Sequence, residues 1–595
     1  MRVRRSFPSI ALTLCLVVLA PPGPAKAAST TAAATGYGGA VSTVDAAATR
    51  VGLDVLRDGG NAVDAAVAAA ATLGVTEPFS SGIGGGGFLV YYQARTGQVS
   101  TIDGRESAPL SMREDSFVNP ATGQPYAFNE ARVSGLSVGV PGTLPTWQVA
   151  LQRWGTRSLA AALRPAIRVA DRGFLVDQTF QNQIRDNLAP FGQFSSTSRL
   201  YLPGGQPPAI GSVFRNPDLA DTYRTIGREG VDALYRGAFA RDIVSTVQHP
   251  PVASTPTGAW TFPIRPGGMT LRDLQAYEVR SPAPTHTRYH GLDVYGMPTP
   301  SSGGSTVGEA LNILERSHLA GLDRVQALHR YLEASALAFA DRNRYVGDNT
   351  PRPVLDELLT DGFAAERACR LDPAAAAAKP VAPGVPDGSY GGCAATAGGA
   401  FGGTENHTTN LTVADRWGNV VEYTFTIEQT GGNAMVVPGR GFLLNNELTD
   451  FNFVPTQGGA PDPNLPAPGK RPRSSMAPTI VLSNGEPYLA VGSPGGSTII
   501  TTVLQILVSR LDLGMTLPDA IAAPRASQRN TVTVTAEPAF SDSAEGRALA
   551  GLGHRYTGTA EIGAATGVEF LGGGKLLAAA EPVRRGGGSA GVVDR

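Results

Sequence analysis

Three cysteines in 595 residues, Cys15, Cys369 and Cys393, are too few for a disulfide scaffold. Histidine is also scarce, and the seven present show no zinc-ligand spacing, so neither a metal nor any other cofactor is expected. Charge of either sign is not in excess. The 49 basic and 50 acidic side chains leave a formal net charge of −1, which gives no basis for a nucleic-acid or anionic-membrane partner. The apolar stretch 10–19 is too short for an ordinary membrane span and is followed by Pro21 and Pro22. Solenoid-type repeats are absent. The run Gly84-Gly85-Gly86-Gly87 has no Lys-Ser or Lys-Thr after it, which argues against a P-loop.

What is present is 42% apolar residues, enough for a large core, with 73 glycines and 45 prolines marking many loops. The length suits one large unit with insertions. Arg2, Arg4 and Arg5 precede the apolar stretch, and Ala25-Lys26-Ala27 is a small-residue cleavage signal. Residues 1–27 therefore read as an export signal, and the mature protein as secreted or periplasmic, with no span left after removal. Cys369 and Cys393 would remain. An exported pair invites a disulfide, but sequence alone does not establish its geometry.

Along the chain, helical spacing over 44–57 stops at Gly59-Gly60. Asn61 then caps a second helix from Ala62, with Asp64 in its first turn. The glycine run leads into an apolar strand over 88–92. Residues 101–106 read as a strand ending in a loop that presents Arg105; from this stretch alone a solvated surface arginine is the simpler reading. The pattern is largely helical over 144–172, and helices are expected over 270–275, 305–314 and 325–343. Composition over 364–403 shifts to Ala, Gly and Pro, an exposed connection. Gly495-Gly496 opens an apolar helical run through Val508, which places two amides near a helix N-terminus, where an oxyanion is stabilised.

The most informative stretch is 406–428. From Val421, apolar Val421, Tyr423, Phe425 and Ile427 alternate with Glu422, Thr424, Thr426 and Glu428, a strand with two distinct faces. Asp415-Arg416-Trp417-Gly418-Asn419 supplies the turn back to a preceding strand. Centring the hairpin on Trp417 pairs Ala414 with Val420 and Thr408 with Thr426. Opposed Cβ atoms lie about 4.5–5.5 Å apart, so two hydroxyls meet at the open end, with Glu428 just beyond on the face of Thr426. This is either a catalytic pair or ordinary strand composition, since Thr favours strands.

Read with Gly59-Gly60-Asn61-Ala62-Val63-Asp64, Asp103-Gly104-Arg105-Glu106, Leu444-Asn445-Asn446-Glu447-Leu448-Thr449-Asp450, Arg471-Pro472-Arg473-Ser474-Ser475-Met476 and Gly492-Ser493-Pro494-Gly495-Gly496, the chain resembles the γ-glutamyltransferase (γ-glutamyltranspeptidase) family of N-terminal-nucleophile hydrolases over most of its mature length. The resemblance implies an α+β fold, a four-layer αββα sandwich formed jointly by two subunits. It also implies self-cleavage between His407 and Thr408, giving a large subunit 28–407 and a small subunit 408–595 that remain together as a heterodimer. By the same resemblance, Thr408 is the nucleophile, Thr426 orients it, and the amides of Gly495 and Gly496 hold the oxyanion. Arg105, Ser474 and Ser475 grip the substrate α-carboxylate, and Glu428, Glu447 and Asp450 its α-ammonium. Substrates would be glutathione and other γ-glutamyl compounds, with water, amino acids or peptides as acceptors. The chain departs from the family pattern at Asn410, where His is frequent, at Glu422, where a small residue is usual, and at Gln429 to Gly432, which lacks the common aromatic.

Two rival readings stand beside this one. A cephalosporin or glutaryl-type acylase shares the fold and self-cleavage but has no α-ammonium to bind. A non-catalytic secreted binding protein with a degenerate fold would have no use for the Thr408, Thr426 and Gly495-Gly496 set.

Overall fold

The computed structural model describes residues 32–391 and 408–594. The expected export signal, His407 and Cys393 lie outside the described residues. The architecture follows from two antiparallel sheets whose strands alternate in side-chain size and polarity. The first, from edge to edge, runs Ser589–Val592, Gly39–Thr43, Thr409–Asp415, Val420–Thr426, Gly86–Gln93 and Gln98–Gly104. The second runs Ala33–Gly36, Leu576–Ala580, Thr566–Phe570, Glu486–Gly492, Thr479–Ser483, Leu292–Gly296 and Thr285–Tyr289. Each sheet takes strands from both sides of residues 392–407, so neither part of the chain completes a sheet alone.

Three apolar layers stack these sheets into a sandwich. Between the sheets lie Ala40, Val90, Ala414, Val420, Ile480, Ala490, Val568 and Ala578, and the frequency of alanine lets the two backbones approach closely. The alternate residues of the same strands turn outwards. Leu89, Tyr91, Val413, Val421, Tyr423 and Phe425 pack under the helices Ala46–Arg57 and Ala62–Thr76. On the other side Val294, Val481, Leu489 and Val491 pack under Gly303–Glu315, Arg324–Tyr345 and Thr498–Leu511. The result is helix, sheet, sheet, helix, the αββα order.

The expected elements are present, with two adjustments. The helical stretch from residue 144 is two helices, Thr143–Trp154 and Leu159–Arg172, interrupted at Gly155 and restarted by Ser158, whose side chain caps the second. The helix after Asn61 runs on to Thr76 and is buried throughout. Its start is a full capping box. Asn61 Oδ1 accepts the Asp64 amide at 3.0 Å, and Asp64 Oδ2 accepts the Asn61 amide at 2.9 Å. Asn61 Nδ2 also donates to the Trp154 carbonyl at 2.6 Å, which ties two helices together. We predict that Asn61→Ala lowers stability by about 1–2 kcal/mol, the usual cost of a lost cap. An unchanged thermal midpoint, measured at one scan rate, would contradict this.

Candidate active site

The hairpin adopts the register expected from its turn. Val420 pairs with Ala414, Tyr423 with Leu411 and Phe425 with Thr409, which sets Thr408 opposite Thr426 at the open end. Their hydroxyl oxygens are 3.4 Å apart, and both residues are buried. The Thr426 hydroxyl oxygen also accepts the Glu428 amide at 2.9 Å. Glu428 does not reach the site by continuing the strand, which ends at Thr426. It sits at φ +77°, a left-handed turn costly for a side chain with a Cβ. Its carboxylate accepts from Asn446 Nδ2, and from Gln429 Nε2 at 3.0 Å.

Arg105 overturns the simpler reading of its stretch, because it is 1% exposed. It follows the strand Gln98–Gly104, and its amide donates to Asp103 Oδ1 at 2.9 Å. Its guanidinium is fully engaged around the pocket. Nε donates to the Pro472 carbonyl at 3.1 Å, Nη1 pairs with Glu447 and Nη2 with Asp450. A buried charge survives only with such partners. Burial by itself would lower the Arg105 pKa, but Glu447 and then Asp450 outweigh it and hold the guanidinium charged.

Ser474 and Ser475 are held from behind. The Ser474 carbonyl accepts the amide and the hydroxyl of Ser302, at 2.8 and 2.6 Å, while its own hydroxyl accepts the Met476 amide at 3.1 Å. The Ser475 hydroxyl accepts from Arg342 Nη2 at 2.7 Å. Each serine oxygen thus receives a donor, and its own proton can point to a ligand. Arg342 sits within the helix Arg324–Tyr345, and no local pattern singled it out; only the tertiary packing brings it to Ser475.

Gly495 and Gly496 lie at φ +137° and +56°, just before the helix Thr498–Leu511. A Cβ at Gly495 would meet Thr498 Oγ1 at 2.7 Å, so the turn requires glycine there. Among the described residues neither amide donates a hydrogen bond. Arg105, Thr408, Thr426, Glu428, Glu447, Asp450, Ser474, Ser475 and Gly496 all line one small pocket, and Gly495 lines the cavity beside it. The pocket presents two hydroxyls on a hairpin, a guanidinium, three carboxylates and a helix-start amide within one small volume.

The family model for gamma-glutamyltranspeptidase matches residues 48–591. The chain belongs to the γ-glutamyltranspeptidase family. A relative from Bacillus subtilis (strain 168), a glutathione hydrolase proenzyme, is 38% identical over 538 residues, covering 89% of this chain and 87% of that one. An acylase ACY 1 proenzyme from Pseudomonas sp. (strain V22) is 33% identical over 556 residues, 92% of each. Among solved structures, a cephalosporin acylase from Bacillus halodurans superposes with a TM-score of 0.80 at 27% identity, covering 97% of this chain and 100% of that one. Members named for glutathione hydrolysis and for acylase activity are therefore both similar to this γ-glutamyltranspeptidase-family chain.

The two departures in the hairpin, Asn410 and Glu422, form one unit in this family member. Asn410 Nδ2 donates to Glu422 Oε1 at 2.6 Å and to Thr566 Oγ1 at 2.8 Å, and Thr424 donates to Asn410 Oδ1 at 2.6 Å. The network lies between the sheets, one strand pair inward from Thr408 and Thr426. Gly492 makes room for it, since a Cβ there would lie 2.4 Å from Glu422 Oε1. A third titratable group of residues lies elsewhere. His329, Glu333 and His554 are buried with potential ligand atoms within 4.8 Å of one another. Their atoms already bond internally, His329 Nδ1 to His554 Nε2 at 2.8 Å and Lys379 Nζ to Glu333 Oε1 at 2.6 Å. Burial lowers the His554 pKa to about 3, which keeps that imidazole neutral. Cys369 is disulfide-bonded.

Complete burial raises the Glu422 pKa well above 4.5, against the lowering effect of Asn410 and Thr412. The folded state then holds this proton to higher pH than the unfolded chain does, so its contribution to stability is full at low pH and falls as pH rises above 4.5. We predict that Glu422→Gln matches the parent in thermal midpoint near about pH 5 and exceeds it increasingly towards pH 8. Parallel midpoint-against-pH curves for the two proteins would refute this.

Proposed function

We propose that the protein is an exported γ-glutamyl hydrolase and transferase, made as a precursor that cuts itself between His407 and Thr408. The observation that carries the reading is the pairing of Arg105 with Glu447 and Asp450 in the pocket that holds Thr408 and Thr426. Both signs of charge at one end suit the zwitterionic head of a γ-glutamyl group. On binding, the substrate α-carboxylate takes Arg105, helped by the Ser474 and Ser475 hydroxyls, and the α-ammonium takes Glu447, Asp450 and Glu428. Buried charges exchange partners and none is left unpaired.

In this scheme Thr408 first attacks the His407 carbonyl. The amide becomes an ester by N-to-O shift, and water releases the subunits 28–407 and 408–595, which stay together because both sheets need strands from each. The freed Thr408 α-amine, with a reference pKa of about 7.7–8.0, takes the proton of the Thr408 hydroxyl, and Thr426 orients that hydroxyl. Attack on the γ-carbonyl gives a tetrahedral oxyanion held by the Gly495 and Gly496 amides, where one donor is typically worth about 10²–10³ in rate. Collapse expels the amine, which takes back the proton held by the Thr408 α-amino group, and leaves a γ-glutamyl ester on the Thr408 hydroxyl oxygen. Water or an amino-acid or peptide amine then resolves the ester. Glutathione is a donor under this reading, as the name of the Bacillus subtilis relative suggests. Export rests on the signal-like residues 1–27. Among the described residues no helix is long and apolar enough to cross a membrane.

The acylase reading is favoured by the cephalosporin acylase superposition. A glutaryl group, however, lacks an ammonium and would leave Glu447 and Asp450 facing no new partner once a carboxylate takes Arg105. Hydrolysis of γ-glutamyl-p-nitroanilide over glutaryl-p-nitroanilide is the expected preference, and the reverse preference would replace this reading with the acylase one. Thr408→Ala should give a single uncut band on a denaturing gel and no turnover; a processed mutant would place the nucleophile elsewhere. Arg105→Lys keeps the charge but loses the two-pronged fork. It should mature normally and raise KM roughly tenfold or more, and unchanged kinetics would remove Arg105 from the site.

A further inference from the structure

Arg585 touches the candidate nucleophile but has no part in the chemistry proposed for it. The first strand of the hairpin begins at Thr409, and just before it Arg585 Nη1 donates to the Thr408 carbonyl at 2.6 Å. Arg585 comes from the turn Arg584–Gly586, near the end of the chain, where it sits at φ +56°. A left-handed conformation is strained for a residue with a Cβ, and the turn tolerates that strain to hold this side chain. Several elements pin it there. Its amide donates to Glu561 Oε2 at 3.0 Å, its carbonyl accepts the Thr179 hydroxyl at 3.2 Å, and its Nη2 donates to Ser80 Oγ at 2.6 Å. Only 11% of the side chain is exposed.

The charges facing Arg585 offset its own only in part. Glu77, at the end of the helix Ala62–Thr76, brings Oε2 within 3.5 Å of Nη2. Burial pushes the Glu77 carboxyl up to about 8 against the lowering effect of Arg585, with Asp45 and Asp177 adding to the rise, so it is mostly neutral at neutral pH. Arg585 also lines the cavity of about 520 Å³ beside the glycine turn. Glu561 and Asp186 on that wall are exposed and screened by water, and Arg529 there is another cation. The adjacent Arg584 is met by Glu537 and Glu581. On the pocket side Glu447 and Asp450 are taken by Arg105, and Glu428 accepts from Asn446 and Gln429. The α-amine that self-cleavage frees shares its Cα with the carbonyl that Arg585 holds. A like charge so close disfavours protonation of an amine.

We propose that Arg585 is a positioning residue for the nucleophile: it fixes the Thr408 carbonyl and keeps a positive charge beside the freed α-amine, so that the amine stays unprotonated and able to act as base at lower pH. The inference rests on the reading of Thr408 as a self-cleaved N-terminal nucleophile and adds to it the residue that sets its working pH. Arg585 acts through Thr408 and has no reacting atom of its own.

The test is the pH profile of kcat/KM for γ-glutamyl-p-nitroanilide on the matured enzyme, whose acid limb reports the α-amine of the free enzyme. An ordinary α-amine titrates at about 7.7–8.0, and the unaltered enzyme should show its limb at least about half a pH unit lower. Arg585→Met should move the limb up by about 0.5–1 pH unit, and Arg585→Lys, which keeps the charge, should leave it near the unaltered position. Should Arg585→Met stay uncut, Arg585→Gln keeps a donor for the Thr408 carbonyl without the charge and carries the same expected shift. An unaltered enzyme with its limb at or above the ordinary range overturns the proposal without need of any variant. So does a charge-free variant that loses rate equally at every pH, since Arg585 would then only brace the carbonyl. If the unaltered enzyme is active on glutaryl-p-nitroanilide instead, the γ-glutamyl reading fails, and the same profile on that substrate still decides the role of Arg585. A protein that stays uncut before Thr408 has no α-amine there, and the proposal falls with self-cleavage.

Discussion

A full positive charge with almost no exposed surface sits at the bottom of this protein's pocket, and its neighbours are arranged to keep it there. Removing Arg105 from water is tolerable only because Glu447 and Asp450 meet its two terminal nitrogens. Those carboxylates come from a short turn, Glu447–Asp450, far along the chain, while Arg105 follows an edge strand of the first sheet. The ion pairs therefore lock a loop of the later part of the chain against a strand end of the earlier part. The same arrangement is what the proposed zwitterionic substrate head would meet.

The hairpin answers a different constraint. Its strands are the two central members of the six-stranded sheet, with apolar residues turned to the helices and polar ones to the facing sheet. Polar groups between two sheets need partners there, and Asn410, Thr424, Thr566 and Glu422 Oε1 find them in one another through short hydrogen bonds, while Glu422 Oε2 accepts none among the described residues. The same face, one step further out, carries Thr408 and Thr426. The pair at the pocket thus stands at the end of a polar row that begins deep in the sandwich, and its spacing is inherited from the register of the whole hairpin.

Local signals were legible where the physics is local. The cap at Asn61 and Asp64, the hairpin turn at Asp415 to Asn419, and the helix after Gly495-Gly496 each depend on residues a few positions apart, and each appears as read. The break at Gly155 was harder to see, because apolar spacing resumes on the same face after it. Arg105 was misjudged from its own stretch, since nothing near it in sequence neutralises its charge. Arg342 gave no local signal of its place at the pocket: Ser475, which it supports, lies 133 residues further along the chain.

By itself, then, the sequence determined the strand pairing of the hairpin, the capped start of the helix after Asn61 and, through the ordered set of motifs, the family. Periodicity, turn chemistry and capping act over short separations, so they can be read in one dimension. Only the tertiary structure decided that Arg105 is buried, that Glu428 enters the pocket by a left-handed turn, and that Arg342 stands behind Ser475. Burial and charge pairing depend on what the rest of the chain brings within a few ångströms, and no stretch of sequence carries that information alone.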